Sequence, residues 1–327
     1  MATAPVLPAQ PHLVGRDFLR LADVSGGEVL QLVHLAHQMK QRRGATRVEP
    51  LAGMTVAMIF EKPSTRTRVS FAVAVQQLGG FPLELAPNTL QLARAETLGD
   101  TGRVLSRYVD AIVLRTGDQS VLEELAEAAS VPVVNALSNQ YHPCQTLADL
   151  LTLSERFGGL QGLPVAYVGD GSNMAAAWLE AAALVGLNLR LAIPAGYAPD
   201  AALTAWASAA ARRTGGSVGL SQDPEAAVAG ARAVYTDVWV SMGREAEALA
   251  RRQAFTGFQI TPTLMHAATP DAIFMHCLPA HRGEEVAAAV LDGPQSVVWD
   301  QAENRLHTEK ALLASLLTPD FSLLECR

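Results

Sequence analysis

Short apolar runs of strand length alternate with stretches of helical spacing along most of this chain, and this alternation restricts the fold more than any other feature. The first cycle predicts strands at residues 54–60, 82–85, 111–115 and 131–135, the last three buried, with helices near 98–109 and 119–129. A second cycle predicts strands at 164–169 and near 188–193, 217–220, 232–237 and 272–277. Strands that alternate with helices form parallel sheets covered on both faces, so the predicted fold class is α/β, with ligands bound beyond the carboxyl ends of the strands.

The length of 327 residues exceeds what one core usually holds and predicts two domains. One or two helices are expected over residues 17–43, a connecting helix over 144–157, and a last helix over 302–317 that is long enough to pack back on the first domain. The predicted first domain is therefore 1–148 with the returning segment 307–327, and the second is 149–306.

Composition excludes several classes of function. The chain is 49% hydrophobic and 17% charged, and no apolar run approaches the ~20 residues of a membrane span, which predicts a soluble protein without a membrane partner. Residues 1–11 lack the pattern of a secretory signal. The net charge of −7 with dispersed basic residues argues against a nucleic-acid partner. Three scattered cysteines are typical of a reducing cytoplasm and do not suggest a structural zinc site.

The segment that follows the first strand predicts an anion site. Three hydroxyl residues (Ser64, Thr65 and Thr67) and two arginines (Arg66 and Arg68) stand where a helix begins, and the N–H groups of a helix N-terminus attract anions such as phosphate. Residues two apart cannot share a helix face, so Arg66 is expected to bind the ligand and Arg68 to form a structural ion pair. The alternative is an ordinary helix start with solvated arginines. Arg115, at another strand end, is a second candidate ligand residue.

The turn Gly169-Asp170-Gly171-Ser172-Asn173-Met174 invites a dinucleotide interpretation, which fails. Its third glycine is replaced by Met174, and the end of the next strand lacks the acid that would bind a ribose hydroxyl. What remains is a tight turn that presents Ser172 and Asn173 at a helix N-terminus, suited to a carboxylate. An ordinary βα turn explains the pattern equally well.

Polar residues mark three more strand ends. His142 and Gln145 are suited to hydrogen bonds with a carbonyl or amide, although a lone histidine at a helix start is often structural. Asp237 is placed to bind a cation, and the Ser241-Met242-Gly243 segment after it is interpreted as a mobile loop; an aspartate that only forms the turn is the alternative.

The densest polar cluster of the sequence is His276-Cys277-Leu278-Pro279-Ala280-His281-Arg282-Gly283-Glu284-Glu285. A metal site and a thiol nucleophile at Cys277 are minor alternatives there, because no second histidine lies at the spacing that zinc requires. The segment Gln301 to His307 opens the last helix and brings Arg305 to a strand end.

Five motifs occur in a fixed order over residues 60–310: STRTR, HPCQ, D-x-W-x-S-M-G, HCLPAHRGEE and QAENRLH. Taken together, they resemble the aspartate/ornithine carbamoyltransferase family. The Ser-Met-Gly segment with HCLP is similar to the members that use ornithine. The resemblance implies one domain for carbamoyl phosphate, one for the amino acid, and an active site in the cleft between them.

The resemblance also implies residue roles. Phosphate would be bound by Ser64, Thr65, Arg66, Thr67 and Arg115, and the carbamoyl group by His142, Gln145, Arg305 and the backbone at Cys277 and Leu278. Gln91 would reach the site of a neighbouring subunit in a homotrimer, with further assembly of trimers left open. Ornithine would contact Asn173, Asp237, Ser241 and Met242. The catalytic residues would be Arg115, His142, Asp237 and Cys277.

The implied reaction transfers a carbamoyl group from carbamoyl phosphate to the δ-amine of ornithine, in arginine metabolism, without a metal or an organic cofactor. Rival hypotheses are a paralogue that uses aspartate, acetylornithine or putrescine, and a non-catalytic sensor of a small phosphorylated ligand. Three departures from the family pattern are Ser172 for Asn, Val238 for Thr and Ala72 for Glu, the last of which removes the expected partner of Arg68. The family also predicts a cis peptide bond at Leu278-Pro279.

Overall fold

The computed structural model describes residues 13–42, 48–86, 88, 96–241 and 244–319. The chain divides into two compact units, the first formed by residues 1–151 with 304–327 and the second by 152–303. No helix within the described ranges is both long and apolar enough to cross a membrane.

The first unit contains a four-stranded parallel sheet and its helices. Its elements are, in chain order, α1 (Gly26–Gln41), β1 (Thr55–Phe60), α2 (Thr65–Gln77), β2 (Phe81–Leu85), α3 (Leu98–Leu105), β3 (Ala111–Arg115), α4 (Gln119–Ala128) and β4 (Val133–Leu137). A 3-10 turn at Leu21–Asp23 precedes α1. Helix α1 begins at Ser25, whose hydroxyl accepts from the Glu28 N–H while the Glu28 carboxylate accepts from the Ser25 N–H, a reciprocal cap that fixes the helix start.

The second unit contains a five-stranded parallel sheet. Helix α5 (Pro143–Phe157) leads into it, and its elements are β5 (Pro164–Val168), α6 (Asn173–Val185), β6 (Asn188–Ala192), α7 (Ala201–Thr214), β7 (Ser217–Ser221), α8 (Pro224–Val228), β8 (Ala233–Thr236), α9 (Ala248–Ala254), α10 (Pro262–Met265), β9 (Ile273–His276) and α11 (Ala288–Leu291). Helix α12 (Val298–Leu317) starts in this unit and ends in the first. The predicted α/β class with parallel sheets is confirmed.

Strand order decides where ligands can bind. The first sheet has the order β2-β1-β3-β4 and the second β7-β6-β5-β8-β9. In each sheet the direction of winding reverses once, between β1 and β3 in the first and between β5 and β8 in the second. The connections on the two sides of such a switch point run to opposite faces and leave a crevice at the carboxyl ends of the two strands, where ligands bind in open α/β sheets.

One strand differs from its prediction. Residues 82–85 were expected to be a buried strand, but β2 lies at the edge of its sheet and alternates between exposed and half-buried positions. Among the described strands only β1 pairs with it, so its other edge faces away from the sheet. The apolar run was correct for a strand, but an edge position is set by strand order and not by local hydrophobicity. The core of the unit instead centres on β1 and β3, whose residues are almost all buried.

Helix boundaries also shift. Helix α12 begins at Val298 and not at residue 302, because Val298 is itself a buried core residue, and α3 ends at Leu105 rather than near 109. Helix α2 begins at Thr65, so four of the five residues of the STRTR motif lie inside the helix and Ser64 is its N-cap.

Candidate functional site

The anion site of the first unit is built where β1 and β3 end. The sheet register pairs Phe60 of β1 with Arg115 of β3, which brings Arg115 beside the turn that leads into α2. Its Nη1 donates to the Ser64 hydroxyl at 3.1 Å, and the Ser64 side chain makes no capping bond to the helix. Thr65 and Arg66 are exposed, whereas Thr67 and Arg115 are buried. The start of α2 therefore presents hydroxyls, N–H groups and a guanidinium together, as an anion requires.

A buried polar cluster joins this site through Arg305. The Arg305 guanidinium donates from Nη1 to Gln145 Oε1 at 2.9 Å and from Nη2 to the Thr67 hydroxyl at 3.2 Å. Gln145 in turn donates from Nε2 to Asp149 Oδ1 at 2.8 Å. These contacts fix which end of the Gln145 amide is oxygen. Gln145 and Arg305, predicted to act on one ligand, are in direct contact.

His142 lies buried at the start of α5 and is neutral. Burial, and then the positive charges of Arg305, Arg115 and Arg66, hold the pKa of its imidazole well below the usual value. Its Nδ1 has no hydrogen-bond partner among the described residues. A neutral imidazole beside three arginines can hydrogen-bond a polar group of a ligand without adding charge.

Arg68 has the structural role expected from its position on α2. Its Nη2 lies 3.1 Å from Glu84 Oε1, and its guanidinium stacks on the Phe60 ring at 5.4 Å from the centroid. The partner is thus an acid of the edge strand β2 and not a residue at position 72 of the same helix. The loss of a glutamate at Ala72 leaves Arg68 with another acidic partner.

The second unit places an acid beside a thiol. The register of β8 and β9 pairs Thr236 with His276, so the next residue of each strand, Asp237 and Cys277, are neighbours. The Cys277 Sγ donates to Asp237 Oδ1 at 3.0 Å, and the Val238 N–H donates to the same oxygen at 2.8 Å. Asp237 is buried, yet among the described residues no lysine or arginine lies within ion-pair distance of it.

In the second unit, the described arginines that follow Asp237 are already paired with acids. The ion pairs join Arg251 with Asp170 and Glu247, Arg244 with Glu247, Arg252 with Glu284, and Arg282 with Asp292. A ligand cation is therefore the partner that the buried carboxylate of Asp237 would favour, since a buried charge needs an opposite charge or several hydrogen bonds.

The turn after β5 packs too closely for any residue but glycine. A Cβ atom on Gly171 would overlap the Tyr197 carbonyl oxygen. The Gly171 N–H donates to the same oxygen at 3.0 Å. Ser172 is the N-cap of α6 by position but makes no capping bond with its side chain, and Asn173 is the first helical residue. Both stand at the predicted carboxylate site, which lies at the switch point of this sheet.

A buried ion pair beneath this turn was not predicted. Arg251 Nη1 lies 2.8 Å from Asp170 Oδ2 and donates to the Trp239 carbonyl oxygen at 3.0 Å. Burial raises the pKa of the Asp170 carboxyl, and the charge of Arg251 offsets part of that rise. Arg251 thereby connects the turn after β5 to the segment after Asp237. The two residues are 81 positions apart, so no local sequence pattern indicates the pair.

The backbone after β9 is unusual at Leu278. The Leu278-Pro279 peptide bond is cis, as predicted, and Leu278 has φ of 59°, a left-handed conformation that bulky residues rarely adopt. Its N–H donates to His276 Nδ1 at 2.8 Å. Burial acts to raise the pKa of Glu285, but hydrogen bonds from His276 and from the His281 N–H lower it overall. Non-glycine residues with such φ values cluster at functional sites, where the surrounding structure enforces them.

Side-chain groups that could bind a metal also lie near Cys277. One ligand atom from each of Asp237, His276 and Cys277 lies within 4.8 Å of the others, and His281, Glu284 and Glu285 form a second such group. From the sequence a metal site was only a minor alternative, because no second histidine lies at the spacing that zinc requires; the structure places an aspartate near His276 and Cys277 instead. The His276 Nδ1, however, already accepts from Leu278, so that group has fewer free ligand atoms than its composition indicates.

Ser241 is half-buried in the segment after β8. Two further predicted residues, Gln91 and Met242, lie outside the described residues. The structure thus brings together Ser64, Thr67, Arg115, Gln145 and Arg305 in the first unit, with His142 close to the arginines, and Asp237 with Cys277 in the second.

Two parallel α/β units, one with the predicted anion site and the other with a buried acid, favour the class of enzymes that join an anionic donor to an amine acceptor. Residues 16–155 match the family model "Aspartate/ornithine carbamoyltransferase, carbamoyl-P binding domain", and residues 161–316 match "Aspartate/ornithine carbamoyltransferase, Asp/Orn binding domain". This chain belongs to the aspartate/ornithine carbamoyltransferase family, and it is a transferase.

Curated relatives agree along almost the whole length. The chain is 53% identical to an ornithine carbamoyltransferase of Symbiobacterium thermophilum over 306 residues, which are 93% of this chain and 99% of the relative. It is 52% identical to an "Ornithine carbamoyltransferase, anabolic" of Pyrococcus furiosus, over 93% of this chain and 97% of that one. The solved ornithine carbamoyltransferase of Pyrococcus furiosus superimposes with a TM-score of 0.90 at 51% identity, and covers 94% of this chain and 98% of its own.

Proposed function

We propose that this chain transfers the carbamoyl group of carbamoyl phosphate to the δ-amine of L-ornithine, and that it releases L-citrulline and phosphate in arginine biosynthesis. In this proposal residues 1–148 with 307–327 bind carbamoyl phosphate and residues 149–306 bind ornithine. The two family matches, which divide the chain between 155 and 161, support that assignment.

The donor phosphate binds at the start of α2. Arg115 is already oriented by Ser64, and Arg66 stands exposed on the same turn, so both guanidinium groups can contact the phosphate with Ser64, Thr65 and Thr67. The carbamoyl end then contacts His142, Gln145 and Arg305, with the backbone at Cys277 and Leu278. Gln91 is proposed to contribute from a neighbouring subunit.

The chemistry needs hydrogen-bond donors for a developing oxyanion and positive charge for the leaving phosphate. Thr67 accepts from Arg305 and keeps its own hydrogen for an acceptor. His142 is neutral in its buried position, so a hydrogen bond from it to the carbonyl oxygen costs no charge separation before attack. Arg115 and Arg66 offset the charge that moves onto phosphate when the bond to the carbamoyl carbon breaks. No covalent enzyme intermediate is required.

The acceptor binds in the second unit. The α-ammonium of ornithine pairs with Asp237 and contacts Ser241 and Met242, while Asn173 at the start of α6 takes the α-carboxylate. This arrangement leaves the δ-amine for the carbamoyl carbon, beside Cys277. The amine attacks in its neutral form, which is scarce near pH 7 because the unperturbed pKa of such an amine is about 10.4.

The buried, arginine-free carboxylate of Asp237 is the observation that carries the choice of ornithine. Aspartate has a second carboxylate, and the arginines from 244 to 282 that could receive it are held in ion pairs with acids. Acetylornithine lacks the free α-ammonium, and putrescine lacks the carboxylate that Asn173 would bind. A buried unpaired charge costs several kcal/mol, which is enough to select among these acceptors.

A colorimetric assay for citrulline tests the proposal. Purified protein, carbamoyl phosphate and ornithine should give citrulline and phosphate in equal amounts, and aspartate, acetylornithine and putrescine should each react far more slowly. Faster carbamoylation of any competitor would overturn the choice of ornithine. Tight binding of carbamoyl phosphate without turnover would favour the rival class, a sensor of a phosphorylated ligand.

Assembly and location are further parts of the proposal. A homotrimer, with sites completed by Gln91 of a neighbouring subunit, is expected in the cytoplasm. A mass measurement in solution checks the trimer, and mixing Gln91→Ala subunits with subunits inactivated at Arg115 should restore activity if the sites are shared. Full activity in a monomer would contradict it.

A further inference from the structure

Glu309 is a buried acid that no part of the proposed chemistry uses. It lies one helical turn after Arg305 on α12, and its Oε1 accepts from Arg305 Nη2 at 2.8 Å and from Nε at 3.1 Å. Both side chains are almost fully buried. An acid in such a place needs an explanation, because removal of a carboxylate from water is costly even when it is paired.

The donors of Arg305 can be counted. A guanidinium has five N–H groups: Nε donates to Glu309, Nη2 donates to Glu309 and Thr67, and one N–H of Nη1 donates to Gln145. Only the second N–H of Nη1 has no acceptor among the described residues. The guanidinium is planar and rigid, so with four of its donors occupied the direction of the fifth is fixed.

Glu309 determines this orientation. It binds the Nε and Nη2 side of the guanidinium and leaves the Nη1 side for Gln145 and for one more acceptor. Gln145 is oriented in turn, because its oxygen faces Arg305 while its Nε2 donates to Asp149. The proximity of Arg305 to His142 is evident from its effect on the pKa of that imidazole, which is the largest of any charge.

We infer that Glu309 is a positioning residue for the carbamoyl end of the donor. It holds the Arg305 guanidinium so that its remaining Nη1 N–H, together with Gln145, is directed to the carbamoyl group and not to the phosphate. This inference rests on the proposed function, since it assigns the free donor to the carbamoyl donor substrate.

The surroundings of Glu309 are consistent with this role. Cys144 of α5 lies close enough for the Glu309 charge to raise the pKa of the thiol in addition to the effect of burial. Arg305 is the one cationic side chain of the described residues that pairs with it. Burial raises the pKa of Glu309 to about 7, and the charge of Arg305 and the hydrogen bonds counteract that rise.

Ligand binding measured by calorimetry tests the inference with two probes, inorganic phosphate and a phosphonate analogue of carbamoyl phosphate in which a methylene replaces the bridging oxygen. Phosphate reports the anion site, and the analogue adds the carbamoyl end. The variants are Glu309→Leu, which removes the acceptor, Glu309→Asp, which is one methylene shorter, and Glu309→Gln, which keeps an acceptor oxygen. Asp300→Asn is the matched control, an acid of the same helix in an exposed pair with Arg156.

The expected result is selective. Glu309→Leu and Glu309→Asp should weaken the affinity for the analogue by about 10- to 100-fold, the range for one charge-assisted hydrogen bond. The affinity for phosphate should stay within about threefold of the wild-type value. Glu309→Gln should restore most of the affinity, and Asp300→Asn should bind both probes like the wild type. In turnover, KM for the donor should rise while KM for ornithine is unchanged.

Two outcomes would overturn the inference. One is wild-type affinity of the analogue in Glu309→Asp, and the other is an equal loss of both probes in a folded variant, which would indicate a general structural role. If Glu309→Leu does not fold, Glu309→Asp and Glu309→Gln decide. Failure of the proposed function is distinguishable, since the wild type would then bind both probes and form no citrulline.

Discussion

The sites of the two units contrast in how they treat buried charge. Both lie at the switch point of a parallel sheet. In the first unit the two buried arginines of the proposed site are each held by an acceptor of the protein, Arg115 by Ser64 and Arg305 by Glu309. In the second unit Arg251 pairs with Asp170, while the hydrogen bonds of the Asp237 carboxylate to other described residues come from a thiol and a backbone N–H.

This difference indicates two modes of recognition. In the first unit the guanidinium groups of Arg115 and Arg305 are already held by the protein, so a proposed anion would need to order few side chains on binding. The second unit has a buried acid, Asp237, without an ion-pair partner among the described residues, so a cationic ligand would compensate its charge. An ammonium group is thus favoured there over a neutral or anionic one.

Arg251→Met should cost about 3–5 kcal/mol of unfolding free energy, because it leaves the buried Asp170 charge unpaired. All four tryptophans (Trp178, Trp206, Trp239 and Trp299) lie in the second unit, so urea unfolding followed by tryptophan fluorescence reports this unit specifically. Arg252→Met, whose exposed pair is with Glu284, is the control on the same helix and should cost at most about 1 kcal/mol.

Removal of the second charge should rescue part of that loss. The double variant Asp170→Asn, Arg251→Met should be more stable than Arg251→Met alone, since it leaves no buried charge. Equal stability of the Arg251 and Arg252 variants would show that the buried pair is not what holds the turn after β5 to the segment after Asp237.

Arg115→Ala should lower kcat/KM for carbamoyl phosphate by about 100-fold or more, because it removes a charge-assisted contact to phosphate and releases Ser64 from its orientation. Steady-state kinetics with saturating ornithine is the measurement. Arg66→Ala should have a smaller effect, since Arg66 is exposed. Wild-type kinetics in Arg115→Ala would exclude the preorganised anion site.

Glu309 should make the stability of the first unit depend on pH. The pKa of Glu309 is raised to about 7 in the folded protein, against about 4.5 in the unfolded chain. The contribution of its bound proton to the free energy of unfolding is therefore complete below pH 4.5 and is lost as the pH rises through 7. The loss amounts to at most about 3 kcal/mol. His142 acts in the opposite direction: its lowered pKa means that stability is lost as pH falls below 6.5.

The difference between the wild type and Glu309→Gln isolates the Glu309 contribution. Urea unfolding followed by circular dichroism at pH 5 and pH 8 should show the variant gaining relative to the wild type at the higher pH. A difference that does not change with pH would mean that the ion pair with Arg305 holds the carboxylate charged throughout.

Asp237→Asn should lower kcat/KM for ornithine by about 10- to 100-fold and leave KM for carbamoyl phosphate unchanged, because an amide cannot compensate the α-ammonium. Asp271→Asn, which breaks an exposed pair with Arg232, is the control. If Asp237→Asn were as active as this control, the contrast between the two units would not extend to the acceptor.

Arg68→Ala should have the smallest effect. Its pair with Glu84 is about half exposed, so its loss should cost at most about 1 kcal/mol of stability and leave donor binding unchanged. Steady-state kinetics of Arg68→Ala, measured in parallel with Arg66→Ala, checks this prediction. A loss of activity comparable to that of Arg66→Ala would mean that both arginines of the motif contact the ligand.

The sequence alone determined the local features. Periodicity placed the nine strands of the described residues and several of the longer helices, but not the short helices α8 to α11, since the alternation of apolar residues is set by the backbone repeat and is clear only in longer helices. Turn and motif chemistry identified the helix start at Ser64 and the strand ends at Arg115 and Asp237, and the motifs together predicted the family. Its prediction of a buried strand at 82–85 was wrong because exposure depends on which strand lies at the edge.

Which of these residues come into contact depends on the tertiary structure. The strand order set both switch points, and a local pattern carries no information about it. Arg305 contacts Gln145 and Thr67 across 160 and 238 residues, and Arg251 contacts Asp170 across 81. The contrast between the held arginines of the first unit and the buried Asp237 of the second also depends on burial. Burial is a property of the packed chain, because it arises only when distant segments exclude water together.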